Sequence, residues 1–232
     1  KAHSGRHRLV SGKDLPEEML QENVDDVRDG AANLLKHLQI VRGFGITPVV
    51  AVNAFPTDHD AEIEEVTRIA GDAGARVAVC HPVTRGGEGC LDLAGGVVEA
   101  CQEAGEPASS RPAYEPQDDL RTKISKLADL YGADGVDYTP AASRLLEAYE
   151  QAGFGHLPVI VAKTPLSLSA EPGRKGVPTG WRLPVREVRL AAGAGYVYAI
   201  CGSLSTMPGL PSRPAAERID VDLDTGQIVG LR

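Results

Sequence analysis

Amphipathic helical periods alternate with short apolar runs along the first half of the chain. Between residues 16 and 42, apolar residues recur at three- and four-residue steps with acidic side chains on the other face, which predicts one long helix. Residues 48–52 form a short apolar run, which predicts a strand buried on both faces, and residues 76–80 predict another short apolar strand. A helix is expected between them over residues 58–71, so the pattern predicts an α/β fold with a parallel sheet and flanking helices.

The chain is organised around residues 48–58, PVVAVNAFPTD. The predicted strand stops at Asn53, and Phe55, Pro56 and Asp58 follow where an open α/β sheet binds its ligand, outside the carboxyl ends of the strands. An aromatic ring belongs in the hydrophobic core unless another group covers it. We therefore expect a ligand site at this end of the sheet.

A glycine-rich segment, VTRGGEG at residues 83–89, precedes a predicted helix at residues 91–103. Glycines before a helix can present backbone N–H groups to an anion, and they also permit a tight turn. The tight turn is the favoured interpretation, because the segment is not a GxxxxGK[ST] phosphate loop and that motif does not occur in the sequence.

A polar, proline-rich segment at residues 105–119 is interpreted as a linker. It divides the chain into a partial α/β domain, residues 1–104, which carries the ligand loops, and a smaller C-terminal α/β domain, residues 120–232. Further predicted elements are helices at 120–130 and 139–152, a turn at 132–138, strands at 157–162, 183–190 and 195–201, a long functional or mobile loop at 167–180, a proline-rich turn at 205–214 and a hairpin at 219–230.

Composition narrows the class of partner. A net charge of −8 argues against nucleic acid or an anionic membrane, because there is no basic surface to offset phosphate charge. The four cysteines lack the spacing of a zinc site or of a disulfide framework, no metal site is predicted, and no run approaches the ~20 apolar residues of a membrane helix. We therefore expect a cytoplasmic protein; the chain starts at Lys1 without Met, as if in the middle of a domain.

A series of longer motifs follows one order along nearly the whole chain. They are ENVDDVRDGAANLLKHL, FGITPVVAVNAFPTD, RGGEG, YGADGVDYTPAA, GFGHLPVIVAKTPLSLS, VPTGWRLPVREVRLAAGAGYVYAICG and STMPGLPSRPAAERIDVD. Taken together, they resemble the C-terminal portion of the formate–tetrahydrofolate ligase family, without the region that carries the phosphate loop.

The resemblance implies a one-carbon ligase that converts ATP, formate and tetrahydrofolate into 10-formyltetrahydrofolate, ADP and phosphate through formyl phosphate. It implies part of a phosphate-loop-type α/β ligase, with the ATP and Mg sites mostly in the missing N-terminal part. That part would be the partner in cis or in trans, and the complete enzyme would be a homotetramer. This chain alone is expected to be inactive, because the groups that neutralise the γ-phosphate are absent from it.

The same resemblance places the folate pocket. Phe55 and Pro56 would form one wall against the pterin ring, and Val83 occupies the position where the family has the opposing tryptophan. Val79 would be an apolar lining residue of the predicted pocket. Asn53 and Asp58 would hydrogen-bond the edge of the pterin, or could equally cap the strand end and the next helix.

Thr179, Gly180 and Trp181 resemble the family's PTGF stretch and are expected near the adenine, although Trp181 could equally be a plain core residue. No catalytic residue is assigned. Three hypotheses remain for the chain: a ligase fragment that works only with its nucleotide domain, a non-catalytic remnant that binds folate or is inert, and a structural subunit that supplies oligomer contacts.

Overall fold

The computed structural model describes residues 1–7, 15–104, 110–202, 213–225 and 227–230. In the first half the elements are α1 (Glu17–Leu20), α2 (Val24–Gly43), β1 (Val49–Asn53), α3 (Asp60–Asp72), β2 (Arg76–Cys80), α4 (Pro82–Arg85), a 3-10 turn (Gly86–Cys90) and α5 (Leu91–Ala104). In the second half they are α6 (Leu120–Leu130), β3 (Val136–Tyr138), α7 (Pro140–Gln151), β4 (Val159–Ala162), β5 (Leu183–Ala191), β6 (Tyr196–Cys201), a 3-10 turn (Ala215–Glu217), β7 (Asp220–Val221) and β8 (Ile228–Val229).

The first sheet consists of β1 and β2, which pair in parallel from Val49 opposite Arg76 to Asn53 opposite Cys80. This confirms the predicted parallel arrangement. A Cβ built on Gly96 of α5 would lie 3.8 Å from Val49 Cγ1, so the Val49 side chain points towards α5. Helix α3 contacts both strands, and α2 packs on α3.

The single helix predicted for residues 16–42 was wrong, because the structure divides it into α1 and α2. The break falls at Asn23, whose side chain accepts the N–H of Asp26 and caps α2. Asparagine followed by acidic residues is a helix-start signal that the apolar period concealed. The Asp26 carboxylate is buried and receives hydrogen bonds from His7 Nε2 at 2.5 Å and from Arg6 at 2.7 Å, which lower its pKa.

Glu65 joins α2 to α3. Its carboxylate accepts hydrogen bonds from Arg28 Nε at 2.7 Å and from Arg68 Nη2 at 2.8 Å. The bonds from Arg68 and Arg28 lower the pKa of Glu65 to about 2. This cluster fixes the position of α2 over the first sheet.

The second sheet has four strands in the order β3-β5-β6-β4. The outer pairs are parallel, whereas β5 and β6 form an antiparallel pair, as expected for two runs joined by AAGAG. The turn predicted for residues 132–138 was wrong at its end, where β3 pairs with β5. A strand of only three residues with Asp137 at its centre carries almost no apolar period.

A hydrophobic core cluster lies between this second sheet and helices α6 and α7. Its fully buried members include Leu120, Ile124, Leu146, Val185 and Val197. Lys123 is buried beside them, and its ammonium donates to the carbonyls of Gly155 at 2.8 Å and Leu157 at 3.0 Å. Burial lowers the pKa of Lys123, and the two carbonyls compensate the charge.

Part of the predicted linker belongs to ordered contacts. Tyr114 receives the N–H of Val159 on its hydroxyl at 2.9 Å, and the N–H of Arg111 donates to the carbonyl of Phe44 at 2.8 Å. Residues 105–109 of the linker, and residues 205–212 of the proline-rich turn, lie outside the described residues. The predicted hairpin is present as the antiparallel pair β7–β8. None of the described helices combines the length and apolar character needed to cross a membrane.

Candidate functional site

The carboxyl ends of β1 and β2 lie side by side, as expected. Asn53 pairs in register with Cys80, and the N–H of Ala54 extends the ladder by donating to the carbonyl of Cys80 at 2.9 Å. We call residues 53–58 and 81–90, which follow the two strands, the carboxyl edge. The predicted folate residues Asn53, Phe55, Pro56, Asp58 and Val83 belong to it, and Val79 is half-buried at the end of β2.

Phe55 is an aromatic side chain of the carboxyl edge that is half exposed, with 49% of its surface accessible. It starts a turn with Pro56 in the second position, where proline is favoured. The turn is closed at Asp58, whose Oδ2 accepts the N–H of Phe55 at 2.9 Å. Asp58 therefore holds the loop, while His59 occupies the position before α3 without a side-chain cap. The helix-capping role expected for Asp58 is replaced by this bond.

Val83 presents a second apolar surface, 58% exposed, on the short helix α4. The segment around it is compact. The N–H of His81 donates to the carbonyl of Gly89 at 3.0 Å, and a Cβ on Gly89 would approach the His81 oxygen to 2.5 Å. Gly86 adopts a positive φ of 54°. Close packing and a positive φ account for these glycines, in agreement with the tight-turn interpretation.

Trp181 is buried, with 3% of its surface exposed, and belongs to the core cluster. Its indole Nε1 is buried and has no hydrogen-bond partner among the described residues. Trp181 also lines a cavity of about 510 Å³, which we call the Trp181 cavity. The ring therefore packs in the core, as one of the two interpretations of the sequence expected, and it also borders this cavity.

Charged and aromatic side chains converge on the Trp181 cavity from distant parts of the chain. Lys163, Tyr131, His37, Asn33 and His3 contribute to its wall. Burial lowers the pKa of Lys163, and burial together with the Lys163 charge lowers the pKa of His37. Lys163 was not among the site residues predicted from the sequence, although it follows the apolar run VIVA directly, at the carboxyl end of a strand.

Lys163 organises the long loop that follows it. Its ammonium donates to the carbonyls of Thr164 at 3.2 Å and Ser169 at 3.3 Å, and also to that of Ser167. These bonds use its three donors, and the ammonium lies 5.3 Å from the centre of the Tyr131 ring. The loop predicted as functional or mobile is thus held by the half-buried ammonium of Lys163.

Thr179 and Gly180 lie in the same loop, directly before Trp181. The Thr179 carbonyl accepts a hydrogen bond from Arg174 at 2.8 Å, and Gly180 adopts a positive φ of 67°. The hydrogen bond joins two residues of the same loop, and the positive φ is a feature of the loop backbone itself. In the parts of the chain that the structure describes, no three His, Cys, Asp or Glu side chains come together as a possible metal site.

The fold is that of an α/β protein in which two parallel strands end at an exposed, partly apolar edge. The sequence model of formate–tetrahydrofolate ligase matches residues 1–232. The chain belongs to the formate–tetrahydrofolate ligase family.

The similarity to individual relatives supports the same family membership. The chain is 58% identical over its whole length to the formate–tetrahydrofolate ligase of Saccharopolyspora erythraea and 54% identical to that of Cutibacterium acnes, and covers 40% of each. It is 49% identical to the ligase of Roseiflexus sp., of which it covers 41%. The chain therefore spans about two fifths of the length of these relatives.

Proposed function

We propose that this chain is the C-terminal portion of an ATP-dependent ligase that forms 10-formyltetrahydrofolate, and that it supplies the folate-binding edge. The observation that carries the proposal is the half-exposed Phe55 ring, fixed by Asp58 at the carboxyl end of a parallel strand in a chain of this family. A flat pterin gains from stacking on such a ring and from the burial of its apolar area.

The pterin lies against Phe55 and Pro56 in this proposal, with Val83 and Val79 as apolar lining and Asn53 able to bond its edge. Val83 offers less contact area than the tryptophan that the resemblance implies, so binding to this chain is weaker by about 1 kcal/mol, on the scale of an aromatic pair. The Trp181 cavity is the adenine-proximal space, with the indole N–H, which has no partner among the described residues, as a donor and Lys163 as a nearby positive charge.

ATP phosphates, Mg and formyl phosphate are held by a further portion of the ligase. The support is chemical: phosphoryl transfer needs donors and cations aimed at the γ-phosphate, and this sequence contains no GxxxxGK[ST] motif. The complete enzyme works in the cytoplasm as a homotetramer. A non-catalytic folate-binding or structural remnant is the alternative.

Reconstitution tests the proposal. We expect the isolated chain to bind tetrahydrofolate and form no product. Coexpression with the portion of the Saccharopolyspora erythraea ligase outside the 58% identical match should give ATP-dependent 10-formyltetrahydrofolate. A stable complex that binds both substrates and still gives no product would contradict the catalytic proposal and favour the remnant.

A further inference from the structure

We infer that the free edge of β1 is a docking surface for one additional parallel strand from the remaining portion of the ligase. The inference rests on the proposed function, because the strand belongs to that portion. Within the described parts of the chain, β1 pairs with β2 alone, so its other side presents unpaired N–H and C=O groups.

A groove runs along this free edge. It has a volume of about 670 Å³, and apolar side chains of two helices form its walls: Leu34, Leu38 and Val41 from α2, and Val97 and Ala100 from α5. Residues 49–51 of β1 form its floor. We call this space the β1 groove. A strand in it would be covered by a helix on each side, which is the environment of a strand in a parallel sheet.

The connectivity of the helices indicates the direction of the occupant. Helix α3 joins β1 to β2, and α2, which precedes β1, packs on α3. Parallel strands joined through a helix are almost always connected by a right-handed crossover. A strand that preceded α2 would therefore lie beneath α2, parallel to β1 and on the side away from β2. That position is the β1 groove.

The relatives are long enough to contain the strand that we infer. More than half of the Saccharopolyspora erythraea and Cutibacterium acnes ligases lies outside the match to this chain. In the described residues, Leu34 lines both the β1 groove and a smaller cavity whose wall includes Lys1. The segment that begins at Lys1 is therefore adjacent to the groove. The strand we infer is extended and apolar on both faces, because it contacts α2 on one side and α5 on the other.

The hydrogen-bond pattern identifies a residue that can test the edge alone. The N–H of Ala54 donates to Cys80, so by alternation along the strand the N–H groups of Val52 and Val50 also point to β2. The N–H of Ala51 consequently points to the free edge. Ala51→Pro removes one donor from the edge and keeps every bond between β1 and β2, since proline is tolerated where the N–H faces outward.

The experiment measures association without substrates. The affinity-tagged portion of the Saccharopolyspora erythraea ligase that lies outside the match is titrated with this chain and with Ala51→Pro. Ala51→Ser, which retains the N–H, is the control. We expect wild type and Ala51→Ser to bind alike and Ala51→Pro to bind at least about ten-fold more weakly, since it loses an edge bond and places a ring in the ladder. Far-UV circular dichroism and thermal unfolding verify that the variants are folded.

Val97 provides a second arm that leaves the backbone unchanged. It is exposed on α5 and lines the groove, whereas its exposed neighbour Val98 does not. Val97→Asp should weaken the association and Val98→Asp should not. Equal binding by wild type and folded Ala51→Pro would overturn the inference, as would no association at all. A self-dimer of this chain that Ala51→Pro dissociates would also overturn it, since the occupant would be a second copy. Association without product formation would contradict the catalytic proposal alone.

Discussion

Phe55 and Asp58 hold each other through two hydrogen bonds. The Asp58 carboxylate accepts the N–H of Phe55 at 2.9 Å, and the carbonyl of Phe55 accepts the N–H of Asp58 at 3.0 Å. The ring at the end of β1 is therefore presented by a closed turn rather than by a free loop. A ligand that stacks on it meets a surface whose ordering has already been achieved by folding.

This relationship predicts how Asp58 acts. If Asp58 positions the turn, Asp58→Asn should bind tetrahydrofolate within about two-fold of wild type, because an amide oxygen still accepts the Phe55 N–H. Asp58→Ala loses the acceptor and should cost about 1 kcal/mol, roughly five-fold in affinity. Calorimetric titration measures both. An Asp58→Asn variant as weak as Asp58→Ala would instead indicate that the charged carboxylate contacts the pterin.

Removal of the Phe55 ring tests the pterin wall directly. Phe55→Ala should weaken tetrahydrofolate binding by about 1 kcal/mol or more, roughly five-fold, through the loss of stacking and of buried apolar area. The matched control is Leu166→Ala, which truncates another half-exposed apolar residue in the loop after β4. Unchanged affinity in a folded Phe55→Ala variant would remove Phe55 from the site.

Val83→Trp is the gain-of-function counterpart. A tryptophan at this exposed position supplies the second aromatic face that the resemblance implies, and should tighten tetrahydrofolate binding by about 1 kcal/mol. The double variant Phe55→Ala, Val83→Trp shows whether the two positions share one ligand. If the benefit of Val83→Trp persists in full without the Phe55 ring, the two side chains do not face the same pterin.

The first sheet was readable from the sequence because β1 and β2 are continuous apolar runs separated by a periodic helix. Strand β3 was missed for the opposite reason: three residues with a central aspartate have no period, and only the pairing with β5 makes them a strand. The break before α2 depends on one side-chain bond from Asn23, which competes with a helical pattern that continues through it.

The two candidate sites also differ in how far local sequence could predict them. The carboxyl edge follows from local sequence, since Phe55 and Pro56 come directly after a strand. The Trp181 cavity joins residues as distant as His37 and Lys163, and no local pattern predicts that contact. A resemblance identified Trp181, but only packing showed that its indole N–H is buried without a partner among the described residues.

Trp181 is the single tryptophan of the chain, so its fluorescence reports on the Trp181 cavity alone. We expect adenosine to change the emission of the isolated chain and to raise its melting temperature, because a ligand that binds the folded state stabilises it by mass action. Sodium triphosphate, which carries charge without a ring, should leave the emission unchanged. Trp181→Phe is the silent control for the optical signal. If saturating adenosine changes neither emission nor melting temperature, the cavity does not bind the base.

Glu65 predicts a pH dependence of stability. Hydrogen bonds from Arg68 and Arg28 lower the pKa of Glu65 to about 2 in the folded state, below its ordinary value of 4.5. The unfolded chain therefore binds the proton more readily, so Glu65 stabilises the fold fully above about pH 4.5, and this contribution is lost as the pH falls towards about 2. Asp26, whose pKa is also lowered, adds a loss in the same acid range.

Glu65→Gln removes this titration while keeping the shape of the side chain. Its free energy of unfolding should be lower than wild type at neutral pH, because Arg28 and Arg68 lose their carboxylate, and the difference should narrow as the pH falls below about 4.5. Urea denaturation between about pH 3 and pH 7 measures both effects. Glu64→Gln, at an exposed position on the same helix, is the matched control and should run parallel to wild type. A constant difference between Glu65→Gln and wild type across this range would show that the acid sensitivity arises elsewhere, with Asp26 as the next residue to test.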